Sequence, residues 1–393
     1  MAVRLWALTI LLFTQTVALA QAPVRWQLTT PVRIGGGASS PTFAGLWDAT
    51  INGAGEVVVL DGSEPFITVV SREGRVQRTM GRLGSGPGEF RQPTRLGWAG
   101  DTLWVIDVAL RRATFLGPGP RAIKTLQLTV KVGPPFVQTA VVAVTANGAL
   151  LVDAATENLY EKTPLGSSAP TRMGIFVAAR SGEITRSLGL IELRSHAMRL
   201  PVLVNGTSGF FSLKQPFADD PLFAVTRDGA TLAIVDRRAG ESPGMQSFTV
   251  TKLTTMGDTI FSRKIPYAPR ALDDETFSAA LEPIRHPPLR TGTSIHIEEG
   301  ELRQAVYRPK YLLPVEDVVL SRDGRAWLRR ETTSRDARVE YLILGPTGSP
   351  EAIVSVPSVE RVVETDGKTV LTITREPEEA PIISLYRIVT RTP

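Results

Sequence analysis

The residues whose type and spacing best suit ligand binding are seven arginines. They lie at or shortly after the ends of three apolar runs of this chain. They are Arg111, Arg112, Arg237, Arg238, Arg329, Arg330 and Arg335. Clustered guanidinium groups bind carboxylate or phosphate through paired, charge-assisted hydrogen bonds. The alternative is ordinary loop charge, paired in part to Glu161, Glu241 and Glu331. The pattern leaves both interpretations open, an anion site and a solvated surface.

A second set of candidates consists of carboxylates that each end an apolar run, namely Asp61, Asp107, Asp153 and Asp236. Carboxylates at equivalent positions of a repeat could surround a calcium ion. The favoured interpretation is local, because a residue that recurs in every unit normally accepts hydrogen bonds from turn amides of that unit. Asp107 could also pair with Arg112. Calcium therefore has no supporting motif, and the metal content stays unknown.

Other catalytic chemistries lack the residues they need. The three histidines, His196, His286 and His296, form no zinc-type pair, and the chain has no cysteine. No Gly-x-Ser-x-Gly motif of a serine hydrolase is present. The glycine-rich segment 81–88 has no Lys-Ser/Thr after it, and Glu89 stands where a dinucleotide-binding motif needs glycine. We predict no catalytic residue and no cofactor, and leave open whether the chain is an enzyme.

The elements that must position these residues come from one phrase that occurs six times. A polar residue and a glycine form a turn, and an apolar strand follows, at residues 52–61, 98–107, 145–153, 226–236, 321–330 and 364–374. Asn-Gly and Asp-Gly between apolar runs strongly indicate hairpins. A repeat of about 40–50 residues favours a propeller. We predict an all-β, six-bladed β-propeller with four-stranded antiparallel blades.

Two intervals between these turns are much longer than the others, from Gly148 to Gly229 and from Gly229 to Gly324. Neither contains another full phrase, so we predict insertions at about 192–220 and 271–311 instead of further blades. The second contains the only predicted helix, residues 274–284, with Asp273 as its cap. This helix should cover the propeller as a lid, on the face that carries the loops with the seven arginines.

Closure of the ring is predicted to involve the N-terminus. The last blade shows only three strands, and residues 25–34 form a strand without a partner nearby in the sequence. Pairing this segment with residues 382–389 would protect the open sheet edge. Residues 21–393 are then one propeller domain.

Residues 1–20 are interpreted as a secretory signal peptide, because one charge (Arg4) precedes an apolar run and Ala18-Leu19-Ala20 resembles a cleavage site. Gln21 would begin the mature chain, and an uncleaved anchor is the alternative. We expect a periplasmic or extracellular monomer with no stable membrane span after cleavage. The net charge of +5 is spread over short basic clusters, which argues against nucleic acid as a partner.

Four tryptophans are expected to fill the core. Trp104 and Trp327 lie in second strands, whereas Trp47 and Trp98 lie on inner strands. Large aromatic side chains at such positions fill the space between blades more often than they form a sugar-binding platform.

Residues 81–116, which read GRLGSGPGEFRQPTRLGWAGDTLWVIDVALRRATFL, resemble an NHL-type repeat. Residues 307–330 are similar to the later blades of exported bacterial six-bladed propeller proteins. The resemblance implies a fold more than an activity. Some six-bladed propellers are calcium-dependent lactonases or lyases, so the resemblance also keeps an enzymatic interpretation open.

The sequence thus predicts an exported, non-catalytic β-propeller that binds an anionic small molecule, a saccharide or a peptide on the face covered by the insertions. The first alternative is a calcium-dependent lactonase or lyase at the axial channel. The second is a pure interaction scaffold.

Overall fold

A computed structural model describes residues 23–36, 41–117, 122–134, 136, 138–155, 171–194, 198–204, 207–213, 215–238, 240–285, 295–374 and 380–389. The predicted signal peptide, Gln21, Glu161, His196 and His286 lie outside these ranges. No helix in the described ranges has the length and apolar character needed to cross a membrane.

Three short strands precede the first half of the ring. They are β1 (Val24–Arg25), β2 (Gln27–Leu28) and β3 (Val32–Ile34). Blade 1 contains β4 (Leu46–Ile51), β5 (Val57–Asp61), β6 (Ile67–Val70) and β7 (Val76–Met80), and the small pair β8 (Arg82–Leu83) and β9 (Glu89–Phe90) follows it. Blade 2 contains β10 (Pro93–Ala99), β11 (Thr102–Asp107), β12 (Arg112–Leu116) and β13 (Ala122–Gln127). Blade 3 contains β14 (Gln138–Val144), β15 (Leu150–Ala155), β16 (Thr171–Ala178) and β17 (Ile184–Leu193).

The second half of the ring carries the insertions. The first insertion forms β18 (Met198–Val204) and β19 (Thr207–Leu213), and blade 4 follows with β20 (Leu222–Val225), β21 (Thr231–Asp236), β22 (Gln246–Thr254) and β23 (Thr259–Tyr267). The second insertion forms α1 (Asp274–Arg285), β24 (Ile295–His296) and α2 (Glu299–Ala305). Blade 5 contains β25 (Val315–Leu320), β26 (Ala326–Arg330), β27 (Arg338–Leu344) and β28 (Pro350–Pro357). Blade 6 contains β29 (Glu360–Thr365), β30 (Thr369–Thr374) and β31 (Ile382–Val389).

Each blade is an antiparallel sheet in sequence order, so the prediction of a six-bladed propeller is confirmed. The turn glycine of every phrase, Gly55 and Gly100 among them, has a positive φ angle. Glycine adopts this backbone conformation without the steric cost that a side chain brings. The local turn chemistry therefore fixes where each inner strand ends and the second strand begins.

The N-terminus closes the ring as predicted. Gln27 pairs with Val389, and Val32 pairs with Leu385, both antiparallel to β31. The segment also reaches the neighbouring blade, because β1 runs parallel to β28 with Val24 opposite Ala352. These pairings cover the outer edge of blade 6 and fasten it to blade 5.

The two insertions form one unit, which we name the cap and which consists of β18, β19, α1, β24 and α2. Strand β18 pairs with β24 across the two insertions, and helix α1 has the predicted N-terminal cap, since the Asp273 carboxylate accepts a hydrogen bond from the Thr276 amide at 2.7 Å. The prediction of a single helix was wrong, because the seven residues of α2 are too few to show a clear period. The cap has its own apolar core, Leu200, Val202, Phe217, Leu272, Phe277, Leu281, Ile297, Leu302, Val306 and Leu312.

The inner strands of five blades share a break in register. The shift falls at one extra residue in each strand, namely Trp47, Thr94, Val142, Glu316 and Val363. Such a bulge interrupts the strict alternation of side chains between the two faces of a sheet. Neighbouring residues of an inner strand can then both face the propeller axis.

Candidate functional site: the axial channel

The seven arginines of the sequence prediction belong to blades 2, 4 and 5, where Arg112, Arg329 and Arg330 lie in strands and the others lie in loops. Arg237 and Arg329 both oppose the rise that burial causes in the pKa of Glu316, so these two share a carboxylate neighbour. Arg237 is buried, and its guanidinium donates to the carbonyl oxygens of Ala218 and Asp220 at 3.0 Å and to that of Val315. Burial lowers its pKa to about 10. Arg237 therefore anchors the base of the cap to blade 5.

The arginines of blade 5 have carboxylate partners. Arg329 Nε lies 3.3 Å from the Glu316 carboxylate, and Arg335 pairs with Glu275 of helix α1 at 2.7 Å. Arg330 lies 3.5 Å from Glu331 and 3.3 Å from Glu340. Arg329, Arg330 and Arg335 are therefore each close to a carboxylate of the protein itself.

In blade 2, Arg112 donates to the carbonyl oxygens of Ser85, Gly86 and Glu89 at 2.7–2.8 Å, so it fastens the glycine-rich segment instead of pairing with Asp107. Arg111 and Arg238 are exposed, and their guanidinium groups contact no acceptor in the described part of the chain. Ligand binding by the seven arginines stays a prediction.

The recurring carboxylates serve their own blades where their contacts are described. Asp61 accepts hydrogen bonds from the amides of Ala44, Gly45 and Gly62 at 2.6–3.0 Å. Asp107 accepts from three amides of its blade in the same way, at 2.7–3.3 Å. The local interpretation is confirmed for these two residues. Asp236 pairs with Arg194 at 2.7 Å, and burial raises the pKa of Asp153.

A cavity of about 270 Å³ lies on the propeller axis, where the inner strands of all six blades meet. The inner strands run away from the face that carries the blade-to-blade connections and the cap. The wall contains residues near the start of some inner strands, such as Asp48, and near the end of others, such as Ala143. We name this cavity the axial channel. Its polar and aromatic lining residues include Trp47, Asp48, Thr94, Arg95, Phe223, Arg227, Asp317 and Arg361.

Arg227 forms the floor of the axial channel. It leaves the turn after β20 in blade 4 and crosses the axis, and its guanidinium meets both Asp48 oxygens at 2.6 and 2.7 Å. It also donates to the carbonyl oxygens of Leu96 and Ala49 and lies 3.8 Å from Glu364. One side chain therefore joins blades 1, 2, 4 and 6.

The carboxylates around this floor are committed to cations. Asp48 accepts two hydrogen bonds on each oxygen, from Arg227 and from the amides of Ala49 and Leu96. Higher in the channel, Asp317 accepts from Arg361 Nε at 2.6 Å and from its Nη2 at 3.2 Å. These two carboxylates are therefore already neutralised by guanidinium groups.

Arg95 is different from its neighbours. Its guanidinium makes one hydrogen bond within the described chain, from Nη1 to the Val142 carbonyl oxygen at 3.0 Å. The side chain is accessible to solvent, yet the channel wall surrounds it. Burial lowers the pKa of Arg95, and the carboxylates of Asp48 and Asp153 oppose this shift. A cation held in this way, with most of its five donors uncommitted, favours an incoming anion.

Trp47 overturns one sequence expectation. Its side chain is 50% exposed and lines the channel, so it is not a core residue, whereas Trp104 and Trp327 are buried as predicted. The bulge at Trp47 is the reason, because it allows both Trp47 and Asp48 to face the axis. The indole lies against Gly62, where a Cβ atom would collide with it.

The donor set does not suit a metal-dependent enzyme. No group of three or more acidic, histidine or cysteine side chains comes together among the described residues. The axial carboxylates Asp48, Asp317 and Glu364 each face an arginine instead. A calcium ion needs several such oxygens directed at one point, so the lactonase or lyase alternative is not favoured.

Sequence reasoning missed the axial residues although two signals were present. The turn phrases of blades 4 and 5 both contain Arg-Asp-Gly, and the arginine of each, Arg227 and Arg322, enters the axis. The inner strands also carry a charge among apolar residues, as at Asp48, Arg95 and Arg361. A charge repeated at the same place in several inner strands indicates a polar axis.

Comparison with known proteins finds similar solved structures at low sequence identity only. No family model and no curated protein matches the chain. Among solved structures it is similar to a "putative exported protein" of Bacteroides fragilis, with 8% identity, a TM-score of 0.42 and coverage of 93% of this chain and 96% of that one. A DUF4221 family member of Bacteroides vulgatus shows 7% identity, a TM-score of 0.45 and coverage of 93% and 99%. Virginiamycin B lyase of Staphylococcus aureus shows 12% identity, a TM-score of 0.41 and coverage of 93% and 100%. At these values no activity is carried over to this chain.

Proposed function

We propose that this protein is an exported, monomeric, non-catalytic binding protein that holds a small anionic ligand in its axial channel. The observation that carries the proposal is that the Arg95 guanidinium makes one hydrogen bond among the described residues, whereas Arg227 and Arg361 of the same channel are paired with carboxylates. The predicted signal peptide supports export. The small size of the channel argues against nucleic acid as a ligand.

The location differs from that of the seven-arginine hypothesis, although both expect an anion on the cap side of the ring. In the channel, inner-strand residues from several blades converge around one cavity. In the loops, five of the seven arginines have protein partners, as described above. The channel therefore supports a single binding site better than the loops do.

Binding can be tested by calorimetry with a panel of carboxylates and inorganic phosphate. We expect at least one carboxylate to bind the wild-type protein and to bind Arg95→Gln about 10–100-fold more weakly, since a hydrogen bond to a charged group contributes about 1.5–3 kcal/mol. Binding should also weaken as salt is added.

Arg111→Gln is the matched control, because Arg111 is exposed and has no partner among the described residues. It should bind as the wild type does. Equal binding by Arg95→Gln and the wild type, or no binding by any member of the panel, would contradict the proposal.

A further inference from the structure

We infer that the anion of the axial channel is an acidic monosaccharide, whose ring lies between Trp47 and Phe223 while its carboxylate binds Arg95. This inference rests on the proposed function and adds the chemical class of the ligand. It is carried by the aromatic residues, the hydrogen-bonding wall and the size of the same cavity.

The two aromatic side chains lie on opposite walls of the channel. Trp47 belongs to blade 1 and Phe223 to blade 4, and these blades face each other in a ring of six. Trp47 is 50% exposed to solvent and lines the channel, and Phe223 is half-buried. Indole and phenyl rings pack well against the apolar C–H face of a sugar. The charged side chains of the channel could not make this apolar contact.

Arg95 stands beside this pair on blade 2, and Arg361 stands on the other side of Trp47 on blade 6. A carboxylate on the ring can therefore reach a guanidinium group while the ring stays on the indole. Arg95 has more uncommitted donors than Arg361, which is already paired with Asp317. This difference assigns the carboxylate to Arg95.

The remaining wall suits hydroxyl groups. Each Asp317 oxygen accepts one hydrogen bond from Arg361, and a carboxylate oxygen has room for a second. Thr94 of blade 2 adds a hydroxyl on the side of the channel opposite to Asp317 of blade 5. A polyhydroxylated ligand supplies donors to these acceptors, whereas an aromatic acid supplies none.

The size of the channel limits the ligand to one ring. A volume of about 270 Å³ is slightly below the range of roughly 300–1,000 Å³ that is typical of small-molecule sites. Arg227 closes the lower end with hydrogen bonds to three other blades, so a chain of sugars cannot pass through.

The experiment uses matched probes: glucuronate and galacturonate, the neutral sugars glucose and galactose, and benzoate as an aromatic acid without hydroxyl groups. Calorimetry and quenching of tryptophan fluorescence are measured on the full chain, with Trp47→Ala, Trp47→Phe and Arg95→Gln as variants. We expect one uronate to bind the wild type, to bind Trp47→Ala about 10-fold more weakly and to bind Trp47→Phe nearly as well.

The outcomes separate the two proposals. Binding of benzoate but of neither uronate would overturn the sugar inference and leave anion binding intact. The sugar inference also fails if a uronate binds Trp47→Ala as tightly as the wild type while melting curves show both folded. Uronate and neutral sugar binding with equal affinity, unaffected by Arg95→Gln, would instead refute the anion proposal itself. Binding of none of the five probes overturns the sugar inference.

Discussion

Replacing Arg227 by methionine should destabilise the whole ring, because this residue joins four blades through buried charges. The Arg227 side chain is 17% exposed, Asp48 is 12% exposed and Glu364 is 1% exposed. Methionine keeps much of the apolar length and removes every hydrogen bond of the guanidinium. The carboxylates of Asp48 and Glu364 then remain near the axis without the Arg227 guanidinium.

The magnitude follows from the cost of a buried charge that has lost its partner, about 3–5 kcal/mol. Unfolding entropy of about 2.1 cal/mol/K per residue gives roughly 0.8 kcal/mol/K for 393 residues. The melting temperature of Arg227→Met should therefore fall by about 4–6 °C. Arg111→Met, at an exposed position, should melt within about 1 °C of the wild type.

The pH dependence of this defect has a definite sign. Burial raises the pKa of Glu364, and Arg227 and Arg322 oppose that rise. Without Arg227 the pKa of Glu364 rises further above its unfolded value. A carboxyl group with a raised folded-state pKa loses its stabilising contribution as the pH rises through that pKa. The defect of Arg227→Met should therefore be larger at pH 8 than at pH 5.

The assay is thermal unfolding at both pH values, together with the double variant Arg227→Met, Asp48→Asn. Removing the Asp48 charge should restore part of the lost stability, since Arg227 is the guanidinium bound to both Asp48 oxygens, whereas Glu364 keeps Arg322. If Arg227→Met melts like the wild type at pH 8, or if its defect grows as the pH falls, the account of the floor is wrong.

Three further predictions concern stability. Deleting residues 21–34 exposes the edges of two blades and should lower the melting temperature markedly; an unchanged melting temperature would refute closure by this segment. A hydrogen bond from Arg270 lowers the pKa of Asp336 to about 2. In urea unfolding near neutral pH, Asp336→Asn should therefore lower the free energy of unfolding by about 1 kcal/mol. The difference in stability between this variant and the wild type should disappear as the pH falls from about 3.8 to about 2. A Cβ atom at Gly97 would overlap a buried indole and a carbonyl oxygen of the floor, so Gly97→Ala should cost about 1–3 kcal/mol, whereas Gly53→Ala, with open space around it, should show no such clash.

The ring of six blades could be predicted from the sequence because each turn and the strand after it are specified by residues that are adjacent in the chain. Each Asp-Gly or Asn-Gly turn needs a left-handed backbone, and the apolar strand after it has only one way to continue the sheet. The cap could not be predicted in the same way. Its sheet pairs Leu203 with His296, and no local pattern indicates a contact between residues so far apart in the sequence.

The channel shows a second limit of sequence reasoning. Alternation along β4 places Trp47 and Asp48 on opposite faces, and only the bulge brings both to the axis. The seven arginines were prominent because they cluster in the sequence. Arg95, Arg227 and Arg361 are separated by many residues, and the closed ring is what brings them to one cavity.

The floor and the cap together define a channel with one entrance. The Arg227 carbonyl oxygen accepts a hydrogen bond from the Trp98 amide across the axis at 2.8 Å, and Arg322 stacks on the Trp98 ring at 5.5 Å, so the lower end is filled by committed side chains. A ligand must therefore enter from the face that carries the cap. The cap encloses a cavity of about 640 Å³ that uses Leu222 and Glu316, while the next residue of each strand lines the channel. Two inner strands thus form the wall of both cavities, because Leu222 and Glu316 line one and Phe223 and Asp317 line the other.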